Sequence, residues 1–247
     1  PTGSGKTLAF GIPLVVRTKA AKPRKPQSLI LAPTRELADQ ICKELQAFSG
    51  KRTVSVVYGG VSYGPQRKAL AKGIDILVAC PGRLEDLIEQ RELTLEDVKQ
   101  VVIDEADRMA DMGFMPAVKR ILDQTSKDRQ TILFSATLDQ DVAQLKKHYQ
   151  HNPVTREIGE KTPDIKNADH TYAIAKKADK PELVAKAVNS TWPAIIFCRT
   201  RHGADRLVKQ LKKLGIESEP IHGGKSQHQR KRALKNFSTG KVQALVA

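Results

Sequence analysis

Cysteine is scarce in this chain and spaced without order. Cys42, Cys80 and Cys198 form no CxxC pair, and an odd count this dispersed argues against a disulfide framework or a cysteine zinc site. Each thiol follows or sits within an apolar run, so buried reduced cysteines are expected, which fits the cytoplasm. No apolar run is long enough to cross a bilayer, and the N-terminus lacks the basic-then-apolar order of a signal peptide. No membrane partner is therefore expected. His148 and His151 share a predicted helix face but have no third ligand nearby, which argues against a histidine metal site. Aromatics make up 4% of the residues, too few for extensive base stacking. Acidic residues are also in deficit: 27 Asp and Glu face 42 Lys and Arg, a net charge of +15. From Arg199 onward, 12 basic residues face 3 acidic ones. A balance this basic points to a polyanionic partner, most economically nucleic acid; a solvated basic face is the plain alternative. The chain starts with Pro1 inside a motif rather than with Met, so it reads as a fragment.

What is present is a regular alternation of short β-branched runs with helical stretches. Strands are predicted at Ser28–Ala32, Thr53–Val57, Ile74–Ala79, Gln100–Ile103 and Gln130–Phe134. Helices are predicted at Lys6–Arg17, Arg35–Phe48, Pro65–Lys72, Gly82–Gln90, Met115–Asp123 and Gln140–Tyr149. Strands that read apolar throughout belong to a parallel sheet covered on both faces, with ligand sites at the strand ends. The pattern lapses around Pro153, Gly159 and Pro163 and then resumes. Further strands are predicted at Asp169–Ala175, Ala194–Cys198, Glu217–Ile221 and Val242–Val246, with helices at Lys180–Asn189, Gly203–Leu214 and Gln227–Phe237. The expected layout is an α/β domain over 1–152, a linker over 153–168, and a second α/β domain over 169–247 that stops before its sheet is complete.

Two segments carry chemistry. Gly3-Ser4-Gly5-Lys6-Thr7 runs directly into an apolar helix. Backbone N–H groups of such a loop and the helix N-terminus cradle phosphate oxygens, with Lys6 on the β/γ-phosphates and the Thr7 hydroxyl on magnesium. The nucleotide loop would comprise Thr2, Gly3, Ser4, Gly5, Lys6 and Thr7. The run Val101-Val102-Ile103 ends in Asp104-Glu105-Ala106-Asp107. A carboxylate at the end of a buried strand is costly unless paired or metal-bound. Asp104 suits magnesium coordination, and Glu105 suits the base that orients an attacking water. The plain alternative is a carboxylate pair that caps a helix start. Together the two segments point to hydrolysis of a nucleoside triphosphate, with Glu105, Asp104 and Lys6 as the catalytic set.

The ordered motifs then resemble one family. Pro33-Thr34-Arg35-Glu36-Leu37-Ala38 is similar to the PTRELA motif of DEAD-box ATP-dependent RNA helicases, and Gly59-Gly60 to their GG motif. Pro81-Gly82-Arg83 resembles most of TPGR, Asp104–Asp107 the name-giving box, and Ser135-Ala136-Thr137 the SAT motif. Ile195–Thr200 and Gln227-His228-Gln229-Arg230 resemble motifs of the second domain. The resemblance covers the whole chain and is nearest to the bacterial type. It implies two tandem RecA-like parallel-sheet domains, with ATP and RNA bound across the cleft between them. RNA backbone contacts would come from Thr34, Arg35, Gly60, Gly82 and Arg83 in the first domain, and from Thr200, Gly223, Gln227 and Arg230 in the second. Asp107, Ser135 and Thr137 would couple nucleotide state to domain closure. ATP and Mg²⁺ are the implied cofactors, and local, sequence-independent RNA unwinding the implied outcome. For Thr34 a helix cap is the alternative, with Leu37 in place of the usual acidic partner; Gly59-Gly60 taken alone reads as a turn. Cys80 stands where the family has Thr, removing one hydroxyl contact to phosphate. The family's adenine-reading element precedes this sequence and its γ-phosphate arginines follow it. A DNA helicase of the same superfamily and an ATP-gated RNA clamp are the rival readings. The RNA target and the protein partners are not legible in the sequence.

Overall fold

The computed structural model describes residues 5–158 and 169–247. Two units emerge, Pro1–Gly159 and Glu160–Ala247. Unit 1 runs α1 (Lys6–Arg17), β1 (Ser28–Leu31), α2 (Arg35–Phe48), β2 (Val54–Val57), α3 (Tyr63–Lys72), β3 (Ile76–Ala79), α4 (Pro81–Glu89), β4 (Gln100–Ile103), α5 (Ala106–Asp111), α6 (Met115–Asp123), β5 (Gln130–Leu133) and α7 (Gln140–Tyr149). Its strands are all parallel, in the order β2-β3-β1-β4-β5. Side chains alternate across this sheet. Leu29, Leu31, Leu77, Val101 and Ile103 face one core with α3 to α7, while Ile30, Ile76, Val78 and Val102 face the other with α1 and α2. Both faces are dry, which is why these strands read as unbroken apolar runs. Each fully buried Leu, Ile or Val contributes about 1.5–3 kcal/mol relative to exposure.

The topology positions the site. The chain leaves β1 into α2 on one face and leaves the adjacent β4 into α5 on the other. Neighbouring strands whose connections part to opposite faces open a crevice beyond their carboxyl ends, the preferred ligand position of open parallel sheets.

Unit 2 comprises α8 (Lys180–Ser190), β6 (Ala194–Ile196), α9 (Arg201–Lys213), β7 (Ser218–Pro220), α10 (Gln227–Ser238) and β8 (Ala244–Val246). Its described strands are parallel in the order β6-β8-β7. Ala204, Leu211, Ile216, Ala244 and Val246 form its core with Ala185 and Val188 of α8.

Two expectations need correction. Asp169–Ala175 is not a strand. Its Tyr172 and Ile174 alternate as a half-buried strand would, yet Tyr172 is 92% exposed and no described strand pairs with the segment. Alternation becomes a strand only where a neighbour supplies ladder bonds. Helix α5 begins inside the acidic tetrad, where the helix-start alternative placed one. His151 lies beyond α7, so the two histidines share no helix face. Of the expected linker, residues 153–158 carry neither helix nor strand, and the rest lies outside the described residues.

Candidate active site

In unit 1 the expected site residues gather at the carboxyl edge of the parallel sheet. Gly5 caps α1 in the left-handed region at φ 75°, a conformation that glycine adopts without a Cβ penalty. Its carbonyl accepts the first helical bond, from Ala9 N–H at 3.0 Å. Lys6 opens the helix, and its Nζ donates to Asp104 Oδ1 at 3.2 Å. The expected phosphate-loop residues Thr2, Gly3 and Ser4 lie outside the described residues. A cavity of about 390 Å³ opens at this point. Lys6, Thr7 and Leu8 line one side, Leu37, Gln40 and Phe48 of α2 another, and Asp104 and Glu105 its end.

Asp104 is 2% exposed. Burial pushes its carboxyl above the ordinary range, while the Lys6 ammonium beside it pulls the other way, as do the hydrogen bonds from Lys6 and from Glu105 N–H. A buried carboxylate with one cationic neighbour, lining a cavity with Lys6 and Thr7, fits a divalent cation. Magnesium takes one or two carboxylates and completes its shell with phosphate oxygens and water, so no cluster of protein ligands is needed. Thr7 lines the same cavity.

Glu105 stands at the N-cap of α5 with φ 52° and ψ 54°, left-handed for a non-glycine residue. Its side chain caps nothing; Oε2 instead accepts from Arg108 Nη1 at 3.2 Å. The helix-cap alternative is therefore half realised: a helix starts here, but neither carboxylate closes it. Arg108 was missed in the sequence, although its i+3 spacing from Glu105 was visible there.

Asp107 ties this segment to the end of β5. Its N–H donates to Ser135 Oγ at 3.1 Å. Its Oδ2 accepts from the N–H groups of Ala136 and Thr137, both at 3.2 Å, and from Thr137 Oγ1 at 3.4 Å. Ala106 N–H adds a bond to Phe134 O at 3.0 Å. Residues 28 to 30 positions apart are thus laced together.

The residues expected to touch RNA are less uniform. Thr34 caps α2, its Oγ1 accepting from Leu37 N–H at 3.3 Å, so the alternative cap is present. Arg35 lies over Gly60. A Cβ on Gly60 would stand 2.1 Å from Arg35 Nη1, and Gly60 holds φ 75°. Gly59-Gly60 is thus more than a turn: it opens room for a guanidinium. Gly82 is exposed with open space where a Cβ would be. Cys80 is buried, and burial pushes its thiol up to about 12, so it offers neither hydroxyl nor thiolate. Arg83 is buried, unlike Arg35.

In unit 2, Thr200 caps α9, accepting from Gly203 N–H at 3.0 Å. Gly223 lies in the loop after β7, where a Cβ would stand 3.5 Å from the Arg201 guanidinium. Gln227 opens α10, buried, and its Oε1 accepts from Arg230 Nη1 at 3.5 Å. Asp205 pins this loop: Oδ1 accepts from Lys225 Nζ at 2.7 Å and faces His222 Nε2 at 3.3 Å. The hydrogen bond from Lys225 holds the Asp205 carboxyl below its usual range, with His222 adding to the effect. These residues sit at the carboxyl ends of β6 and β7, the edge equivalent to that used in unit 1.

Among the described residues no helix is long and apolar enough to cross a membrane. Comparison with known proteins supplies the family context. Residues 1–145 match the DEAD/DEAH box helicase family, and residues 179–247 match the helicase conserved C-terminal domain. The chain is 40% identical over 258 residues to the chloroplastic DEAD-box ATP-dependent RNA helicase 3A of Zea mays, covering all of this chain and 34% of that protein. It is 38% identical over 252 residues to the DEAD-box ATP-dependent RNA helicase CshA of Streptococcus pneumoniae, covering all of this chain and 48% of that one. Among solved structures it resembles the RNA helicase Prp28 from Chaetomium thermophilum bound to ADP, with a TM-score of 0.59 and 36% identity, over all of this chain and 61% of that one. The chain therefore spans between a third and a half of the length of these curated relatives.

Proposed function

This chain belongs to the DEAD/DEAH box helicase family, and we propose that it is the motor core of an ATP-dependent RNA helicase. One observation carries the reading: the acidic tetrad joins the phosphate-loop lysine at one end, through Asp104, and the 135–137 segment at the other, through Asp107. A nucleotide that displaces Lys6 from Asp104 acts directly on the element bonded to Ser135 and Thr137.

Within this reading Lys6 neutralises β/γ-phosphate charge, and Asp104 and Thr7 hold Mg²⁺. The ion would supply charge neutralisation for the leaving phosphate. Glu105 orients the water, with Arg108 fixing its carboxylate. Asp107, Ser135 and Thr137 relay nucleotide state. Thr34, Arg35, Gly60 and Gly82 form the RNA face of the first domain, and Thr200, Gly223, Gln227 and Arg230 that of the second. We assign residues 1–152 to the ATP-binding domain, 153–168 to the linker and 169–247 to the second domain. The basic balance and the backbone-type contacts support binding without sequence preference. The free thiols support a reducing compartment, the cytoplasm.

The test uses the full-length protein. Phosphate release is measured with RNA, with DNA of the same sequence, and with neither, beside unwinding of a short RNA duplex. Stimulation by RNA together with strand separation is expected. Equal stimulation by DNA, or none by either, would overturn the reading. Long residence on RNA with negligible turnover would favour the clamp instead.

A further inference from the structure

The family resemblance gives Arg35 and Arg83 one role, yet Arg83 is buried while Arg35 is half-buried. Arg35 lies over an exposed glycine. The Arg83 side chain is only 6% exposed. Its Cζ lies 3.8 Å from the centroid of the Tyr63 ring, within the range of a cation–π contact. Its Nη1 and Nη2 both donate to the Val61 carbonyl at 3.2 Å. Its Nε faces Asp86 Oδ2 at 3.8 Å, too far for a hydrogen bond, and that oxygen accepts from the Tyr63 hydroxyl at 3.0 Å. Val61, Tyr63 and Asp86 thus enclose the guanidinium, which cannot meet a phosphate without leaving its stack. A second cation, Arg67, lies 5.3 Å from the same ring but is held by Glu92 at 3.1 Å.

What this enclosure fixes is the short loop from β2 to α3. That loop contains Gly60, whose missing side chain makes the room for Arg35. We propose that Arg83 is a positioning residue: clamped by Tyr63 and Asp86, it anchors the Gly59–Val61 loop so that Arg35 is presented to the RNA backbone. The phosphate contact belongs to Arg35. Tyr63 and Asp86, which no motif marks, become determinants of RNA affinity. The inference rests on the RNA-binding reading above.

The test measures affinity of the full-length protein for a labelled uridine run, with a non-hydrolysable ATP analogue, across a salt series. Arg83→Lys keeps the charge but loses the paired donation to Val61 and the planar stack. Tyr63→Ala removes the stack and no charge. Each should weaken RNA binding about tenfold, the lower end of the loss of one charge-assisted contact, that of Arg35 with phosphate. Tyr63→Ala should also lower the salt slope by about 0.7, the value of one lost phosphate contact on a single strand, although no cation was removed. In an Arg35→Ala background neither change should weaken binding further, and Tyr63→Phe should stay near wild type. ATP affinity should hold throughout, which a general structural defect would not allow. Wild-type affinity in Arg83→Lys combined with loss in Arg83→Gln would make Arg83 a direct phosphate ligand and overturn the proposal. So would unchanged binding in Tyr63→Ala. Absence of RNA binding in the wild type would instead remove the RNA reading itself.

Discussion

Substituting Gly60 by alanine separates two effects that the structure places at one atom. Gly60 holds φ 75°, and a Cβ there would lie 2.1 Å from Arg35 Nη1, 2.6 Å from its Cζ and 2.8 Å from Nη2. The backbone cost of a non-glycine residue in this region is about 1 kcal/mol. In a unit of this size that lowers the melting temperature by roughly 2–4 °C. The clash itself costs little stability, because the obstructing atoms are the end of a flexible side chain that swings away. Function bears the larger loss. Displacing Arg35 removes a charge-assisted contact worth about 1.5–3 kcal/mol, or roughly 10- to 150-fold in RNA affinity. Fluorescence anisotropy on a labelled single strand, with an ATP analogue present, reads the affinity, and a thermal melt reads the stability. The decisive comparison is a double-mutant cycle: if Gly60 acts by making room for Arg35, Gly60→Ala adds nothing to the binding loss of Arg35→Ala. Additive losses, or normal RNA affinity accompanied by the melting shift, would refute the reasoning.

Three further outcomes are expected. Glu105→Gln should bind ATP normally and hydrolyse it about a hundredfold more slowly or worse, the scale of losing a positioned base; rates with ATP and RNA saturating decide it. Lys6→Ala should abolish RNA-stimulated phosphate release and also destabilise the nucleotide-free protein by about 2 kcal/mol, since buried Asp104 loses its counter-charge; the usual penalty of roughly 3–5 kcal/mol is reduced because Lys6 is itself part-exposed. Cys80, raised to about 12 by burial, carries almost no thiolate at pH 8, so iodoacetamide should modify the half-exposed Cys198 well before it, as mass spectrometry of briefly treated native protein would show.

Much of this molecule was legible in its sequence, and the reasons differ by region. Leu29–Leu31, Ile76–Ala79 and Val101–Ile103 announced themselves because both faces of their sheet are buried. Lys6 and Asp104, 98 residues apart, were each singled out by their motifs, but their direct ion pair was not foreseen, because the sequence was read for what each would hold rather than for what they hold in each other. Asp169–Ala175 was misread because alternation describes only the strand, while a strand also needs a partner. Helix α5 entered only as the alternative reading of the tetrad, because its six residues are too short for an apolar period to show. The burial of Arg83 could not be seen at all. It depends on Tyr63, twenty positions earlier, and only the folded β2-to-α3 loop brings the ring across the guanidinium.

The backbone at Glu105 has one more consequence. A glutamate held at φ 52° and ψ 54° stores local strain of about 1–2 kcal/mol. Asparagine tolerates this region far better, and glycine occupies it freely. Position 105 is therefore a place where durability and turnover select different residues. A library screened only for heat resistance should drift from Glu105 toward asparagine, and the survivors should melt higher while hydrolysing almost nothing. Retention of glutamate under such a screen would mean that Arg108 and the 135–137 lacing already absorb the strain. If the drift does occur, the chain keeps an unfavourable backbone at this position because a favourable one would carry the wrong side chain.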